Sequence, residues 1–359
     1  MADWKASIIG GNVVLNVVFV LSLGTCFALL LAWACRVLPR DGWQMIASVP
    51  MRRRSGHWEG VNLTYYGLLT ATAAVVASGI FILLMAAIQV QLSAALLAVG
   101  AVMICCAPAA SLIARIVEGK RHTFTVAGAL FVGLLVGPPV ILALNCFGSS
   151  ALQSPMAPTL AAMAIAYAFG EGLGRLACIS FGCCYGKPIA ALPQPVRRWF
   201  ERFHFAFQGE TRKISYAGGL EGIKVVPVQA LTATVYIAVG LIGMLLFLQG
   251  WFRTAFLCAI LFTQVWRFLS ETLRADYRGG GDVSAYQVMA GLGTLYSIAL
   301  AIEMPDVSVA VSLAAGIAAM WNPIIIVALQ AMWGALFLYT GWSMVTGSIV
   351  SFHVYQDRV

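Results

Sequence analysis

The chain has 359 residues, of which 61% are hydrophobic and only 10% charged, and its mean hydropathy is +0.88. That balance excludes a soluble globular domain, and the repeated apolar runs of helical length favour a helical bundle over a barrel. The net charge of +8 points to loops and anionic lipid, since no basic run interleaved with aromatics suggests nucleic acid.

The first apolar run, about Ile8 to Ala34, is too long for the core of a cleavable signal and reads as a span. A basic loop follows, carrying Arg36, Arg40, Arg52, Arg53 and Arg54 together with Trp43 and Trp58, which suit an interface. Further spans are expected at about Leu63 to Ile88, Leu92 to Ile113 and Phe124 to Cys146. A short polar loop from Arg115 to Thr123 separates the last two, and Pro138-Pro139 is expected to kink or break the latter. An uncharged loop, Phe147 to Pro155, leads to a fifth span from Met156. Between Lys187 and Val226 charge, proline and aromatics rise, so this stretch reads as a small extramembrane head with possible strands and a turn at Ala217-Gly218-Gly219. Three more spans follow at about Val228 to Leu248, Phe252 to Leu273 and Ala285 to Ile302. The tail is broken at Asn322-Pro323, giving a short helix and a last span from Ile324 to about Val345. The fold class read from this pattern is an all-α polytopic integral membrane protein of about nine transmembrane helices with one small head.

The fifth span closes on Glu171-Gly-Leu-Gly-Arg175-Leu-Ala-Cys178-Ile-Ser-Phe-Gly182-Cys183-Cys184-Tyr185-Gly186. Ionisable residues at a membrane helix end are costly and mark functional sites, although an interfacial arginine can also simply snorkel to headgroups. Glu171 reads either as the counter-ion of Arg175 or as a general base. In the seventh span Arg267, Glu271 and Arg274 stand at i, i+4 and i+7 and are expected on one helix face. This is either a structural ladder or an anion site, because guanidiniums grip phosphate oxygens bidentately. Span parity puts Arg175 and Arg274 on one side of the membrane. Of the nine cysteines, Cys178, Cys183 and Cys184 offer ligands to a soft metal. Their spacing is not a zinc pattern and no His lies close in sequence, so no metal or other cofactor is expected. A lowered thiol pKa beside Arg175 would make Cys183 or Cys184 a nucleophile; packing in a tight turn is the plainer role.

With these motifs in hand, the chain resembles the prolipoprotein diacylglyceryl transferases over roughly Val61 to Met304. Leu63-Thr-Tyr-Tyr66-Gly67-Leu68 is similar to the family's Tyr-Gly-Leu, and Gly128-Ala-Leu130 to its Gly-Gly-Leu. Gly174-Arg175 with Gly182 and Gly186 follows its signature run. Pro227-Val-Gln229, Arg267-Phe-x-x-x-Glu271-x-x-Arg274 and Ser284-x-x-Gln287 complete the ordered set. The resemblance implies a core at 63–304 with its head at 187–226, flanked by an extra N-terminal helix and basic loop at 1–62 and an extra helical segment at 305–359. It implies a bacterial inner membrane and an anionic phospholipid, phosphatidylglycerol or similar, as donor of a diacylglyceryl or glycerol-containing group. By this resemblance Arg175, Arg267 and Glu271 would be catalytic; Glu171, a carboxylate the family pattern does not call for, joins them as the candidate base read from its place in the span. Tyr66, Gly128, Gly182, Cys183, Tyr185, Gly186, Gln229, Arg274 and Gln287 would bind substrate.

The departures fall on Ala127, Cys178 and Cys183, where the family has His, Asn and Glu, and on Leu231 and Thr232 in place of a Tyr-Glu. A donor site kept with altered acceptor chemistry follows, so the acceptor stays open; a non-catalytic phospholipid-binding or accessory protein on the same scaffold is the alternative. Most of the 22 Lys and Arg fall on loops of the site side. The positive-inside rule therefore turns the site to the cytoplasm, whereas the resemblance implies the periplasmic face.

Overall fold

The computed structural model describes residues 2–40, 42–119, 125–149, 153–278 and 283–359, apart from the side chains of 2–12. It is mostly helical, and among the described residues nine helices are long and apolar enough to cross a membrane. They are α1 (Ala2–Val37), α2 (Tyr65–Ala87), α3 (Leu92–Glu118), α4 (Val126–Phe147), α5 (Met156–Phe181), α8 (Val228–Leu248), α9 (Phe252–Thr272), α10 (Ala285–Glu303) and α12 (Pro323–Gly341). The short helices α6 (Gln194–Arg202) and α7 (Lys213–Gly218) lie in the head, and α11 (Leu313–Met320) precedes α12.

Helix α5 is the hub, packed against α2, α8 and α9. Its buried face is built largely from small residues, including Ala161, Ala162, Ala164, Ala168 and Gly172. Small side chains let backbones approach closely, and that close packing is what associates helices where lipid removes the hydrophobic drive between them. Phe27, Phe81, Phe169, Phe247 and Phe256 fill the gaps between the helices. The pair α3 and α4 stands to one side, α10 packs on α9 and α4, α1 on α8, and both α11 and α12 on α2. Where α12 meets α2 the approach is so close that a Cβ on Gly67 would lie 2.0 Å from Gly341 Cα. Only glycine fits there.

The chain is not helical throughout. The expected basic loop is an antiparallel hairpin of β1 (Met45–Arg54) and β2 (His57–Thr64). Its two turn residues, Ser55 and Gly56, both have positive φ, at 50° and 89°, as a type I′ connection requires. The last span was expected to reach about Val345, but α12 stops at Gly341 and the chain turns into β5 (Trp342–Val350). That strand is apolar enough to extend a hydropathy run, yet it pairs antiparallel with β2, Val61 facing Gly347 and Trp58 facing Val350. A three-stranded sheet, ordered β1-β2-β5, thus joins the two flanking segments. In the head, two-residue strands β3 (Phe205–Ala206) and β4 (Lys224–Val225) pair, and the expected glycine turn appears as a left-handed Gly219 closing α7.

Of the kink or break expected at Pro138-Pro139 the break does not occur, since α4 runs on through both prolines. One further expectation is corrected. Arg274 lies beyond the end of α9, so the three-residue face shared with Arg267 and Glu271 does not extend along one helix. The polar loop expected at Arg115 to Thr123 falls in α3 up to Glu118, and its residues 120–123 lie outside the described set. Residues 150–152 of the Phe147 to Pro155 loop lie outside it too.

The sheet also fixes sidedness. Strand β2 enters α2 and β5 leaves α12, so their pairing requires an even number of crossings between them. The long helices α2, α3, α4, α5, α8, α9, α10 and α12 supply that even number, and α11, with 8 residues, is too short to span. The hairpin base is tied to the head as well. Gln44 Nε2 donates to Thr211 O at 2.9 Å, Ser180 Oγ donates to Trp43 O at 2.9 Å, and the fully buried Arg212 guanidinium donates to the carbonyls of Gln208, Ser180 and Arg40. Sheet, head and the C-terminal end of α5 therefore share one side.

Candidate anion site at the helix ends

Tyr167, Glu171 and Arg175 recur every four residues on α5 and so form one polar stripe on an otherwise apolar helix. Glu171 Oε1 accepts from Arg175 Nη2 on its own helix and from Arg267 Nη2 of α9 at 3.1 Å. The three side chains are 12%, 6% and 5% exposed for Arg175, Glu171 and Arg267. Arg267 Nη2 also donates to Tyr167 Oη at 2.9 Å; Tyr167 then donates to Tyr236 Oη at 3.3 Å, and Tyr236 to Thr263 O at 3.1 Å. The polar stripe of α5 is thus locked to α8 and α9, which fixes both guanidiniums in place.

A second group of ion pairs adjoins the first. Arg274 pairs with Asp276 Oδ2 at 2.6 Å and with Glu271 at 3.5 Å, and Arg278 pairs with Glu271 at 3.3 Å and Glu118 at 3.0 Å. Tyr286 Oη donates to the same Glu118 at 2.9 Å, and the Arg278 guanidinium lies 4.1 Å from the Tyr286 ring centroid. Glu271, expected among the catalytic residues, lines the pocket and holds Arg274 there as well as Arg278, while Glu171 is the counter-ion shared by Arg175 and Arg267.

Between the two groups lies a narrow polar pocket lined by Arg175, Arg267, Arg274, Glu271, Gln229, Cys184, Thr232, Tyr236, Ser270 and Val228. It has room for roughly one water molecule, so any larger anion must displace side chains. Among the described residues, three buried polar atoms of its lining side chains have no hydrogen-bond partner: Arg175 Nε, Arg267 Nε and Gln229 Oε1. Unpaired buried donors are rare and costly. Two of them, on two guanidiniums that line one pocket, suit oxygens of an anion.

The glycine–cysteine turn closes the pocket. Gly182 ends α5 in the left-handed conformation, φ 68°, and its N–H satisfies the carbonyls of Cys178 and Ile179. Cys184 is left-handed too, φ 55°, an uncommon state for a residue with a side chain. Two such residues within three positions fold the chain back so that the Sγ atoms of Cys178, Cys183 and Cys184 lie within 4.8 Å of one another. Hydrogen bonds from Cys178 and Cys183, then the guanidiniums of Arg274 and Arg175, hold the Cys184 thiol well below its ordinary range. Sharing hydrogen bonds with Cys178 and Cys184, together with burial, pushes Cys183 up.

The other expected binding residues divide sharply. Gln229 belongs to the pocket, and its Nε2 donates to Cys183 O at 2.8 Å, pinning the turn. Cys183 contributes that carbonyl, and Gly186 brings the chain against the segment that leads into α8: a Cβ there would meet Val226 O at 2.3 Å. Tyr66 packs edge-on against Phe181, with centroids 5.6 Å apart, and is not part of the pocket lining. Tyr185 is buried in the head core, where burial and then Asp276 raise its phenol. Gly128 is a helix contact, since a Cβ would come within 2.8 Å of Ile113. Gln287 forms a capping box with Ser284, its Oε1 accepting from Ser284 N, and its Nε2 donates to Phe268 O at 3.1 Å, so both ends of its amide are committed to structure. Tyr167, Tyr236 and Ser270 were not singled out in the sequence, and Thr232 only as a departure from the family pattern; Tyr167 was accessible there, as it precedes Glu171 by one helical turn. No protein-family model matches the chain, and no curated protein matches it.

Proposed function

We propose that this chain is a membrane-embedded transferase that takes an anionic phospholipid, phosphatidylglycerol or similar, as donor of a diacylglyceryl or glycerol-containing group to an acceptor whose chemistry has diverged. The observation that carries this reading is the pair of buried Nε–H donors, without a partner among the described residues, on Arg175 and Arg267, two arginines that line one pocket at a membrane helix end. The ordered resemblance to prolipoprotein diacylglyceryl transferases supplies the reaction class, and Arg175, Arg267 and Arg274 all meet in that pocket. In this reading an acceptor atom attacks a glycerol carbon, the C–O bond to phosphate breaks, and glycerol phosphate leaves with the bonding electrons. Negative charge then grows on the phosphate, where fixed guanidiniums stabilise it more than in the ground state. The acceptor's proton goes to a base other than Glu171, which two guanidiniums engage as their counter-ion. Incubating the purified protein with phosphatidylglycerol and a lysate of its own host, followed by mass spectrometry of lipids and water-soluble products, tests this. Release of glycerol phosphate is expected, and its absence while lipid stays bound overturns the enzymatic reading.

One observation favours a second reading. Four arginines, Arg175, Arg267, Arg274 and Arg278, are matched in number by four carboxylates, Glu171, Glu271, Asp276 and Glu118, in one shared network. Such balance suits a phospholipid-binding or accessory protein whose ion pairs chiefly hold the helices together.

The proposed location is a bacterial inner membrane with the site turned to the cytoplasm, as the concentration of Lys and Arg on the sheet-and-head side directs. Glu210 is exposed in the same head. A Glu210→Cys variant, in a background without reactive native thiols, is expected to resist an impermeant thiol reagent in intact cells and to label after lysis. Labelling in intact cells turns the site to the periplasm.

A further inference from the structure

Cys178, Cys183 and Cys184 form a cluster that the lipid reading does not use. Their Sγ atoms lie within 4.8 Å of one another. Sulfurs bound to one ion at ~2.3 Å sit about 4 Å apart in a trigonal plane, so the set must contract by less than ~1 Å to close on a metal. The backbone that gathers them is specific. Gly182 and Cys184 both take positive φ, 68° and 55°, and Gln229 Nε2 fixes the Cys183 carbonyl from the neighbouring helix. A left-handed conformation at a cysteine is a local cost, and such costs concentrate where a site is held in shape.

The ligand chemistry selects the ion. The donor set is sulfur only, which disfavours magnesium and calcium and favours soft ions. Zinc ordinarily completes four ligands, whereas a monovalent d10 ion such as Cu(I) is content with three thiolates. Three thiolates around a monovalent ion leave two net negative charges. Arg175 and Arg274 line the pocket beside Cys184, and Lys213 lies near Cys183 and Cys184, so that excess charge meets cations already in place. The same cations disfavour a bare divalent ion on neutral ligands.

We propose that Cys178, Cys183 and Cys184 form a three-sulfur site for a soft monovalent ion, Cu(I) being the best fit, at the end of α5. Loading exchanges three thiol protons for one ion, with no change of oxidation state. The site abuts the anion pocket through Cys184, so an occupied cluster would also shape that pocket; the metal proposal nonetheless stands apart from the lipid reading.

The full chain, purified in detergent under anaerobic reducing conditions, is titrated with Cu(I) held by the colorimetric chelator bicinchoninate. One equivalent per chain is expected to transfer to the protein, and X-ray absorption is expected to show copper surrounded by sulfur alone. The Cys178→Ser, Cys183→Ser and Cys184→Ser variants should each bind at least tenfold more weakly, and the triple variant should take up none at the same chelator concentration. Cys258→Ser, elsewhere in the bundle, should bind as the wild type does. Arg267→Gln, which removes a donor of the proposed lipid site, should keep its copper, so the two readings can fail separately. Failure of the wild type to take up copper, equal uptake by the triple variant, or copper bound through nitrogen or oxygen overturns the proposal. Because the wild type must itself bind, misfolding of a variant cannot rescue it.

Discussion

Glu171→Ala is expected to destabilise the bundle by about 3–5 kcal/mol, the cost of removing one partner from a buried ion pair. The reason lies in the pairing: one carboxylate oxygen serves both Arg175 and Arg267. Deleting it leaves two guanidiniums facing each other across a low-dielectric gap between α5 and α9. Glu171→Gln keeps the shape and an acceptor oxygen but not the charge, and is expected to cost less. Unfolding of purified protein in detergent, followed by tryptophan fluorescence, measures both. A double variant, Glu171→Gln with Arg175→Gln, should recover part of the loss, because it removes one of the stranded charges. If Glu171→Ala unfolds with the wild type, the guanidiniums are solvated well enough not to need the carboxylate, and the buried-triad description fails.

The local half of this site was legible in the sequence. Glu171 and Arg175 are spaced to pair on one helix, and a carboxylate inside a membrane span draws attention by its cost alone. The other half depends on which helices meet. Arg267 and Glu271 are also one helical turn apart, and spacing alone made them partners. In the folded bundle α9 turns Arg267 toward α5 and leaves Glu271 facing Arg274 and Arg278. An i, i+4 rule has no term for a stronger partner on a neighbouring helix. The same limit explains Gly128 and Gln287. Short motifs mark places where the backbone has a special requirement, and helix contact or capping meets that requirement as well as a ligand does.

The sheet escaped for a different reason. Trp342-Ser-Met-Val-Thr-Gly-Ser-Ile-Val350 is apolar and β-branched, so a hydropathy window continues the span while a propensity reading would end it. The pairing of β5 with β2 spans most of the chain, and nothing local announces it. The three cysteines were grouped in the sequence as possible soft-metal ligands, but their convergence was not legible, because it rests on Cys184 adopting a conformation that its residue type does not favour. The rise and fall of hydropathy did place the spans, since a helix must satisfy its own backbone in lipid and so needs an apolar run of full length.

On the transferase proposal, Arg175→Ala and Arg267→Ala are each expected to lower phospholipid turnover by at least about a hundredfold while the protein still inserts. Removing a fixed donor from a site where charge develops costs about 3 kcal/mol of transition-state stabilisation. Each arginine has an Nε–H without a partner in the pocket, so each has a donor to offer a phosphate beyond its bond to Glu171. Arg267→Lys is informative because it keeps the charge and loses the planar fork. If phosphate is gripped bidentately, lysine should rescue little of the activity. Lipid binding, measured by mass spectrometry of co-purified phospholipid, separates two roles for the same residue. Turnover lost with phosphatidylglycerol still bound assigns the guanidinium to the transition state; turnover and binding lost together assign it to donor capture. Full activity in either alanine variant removes that arginine from the donor site, and full activity in both leaves the pocket as an ion-pair network that only holds α5 to α9.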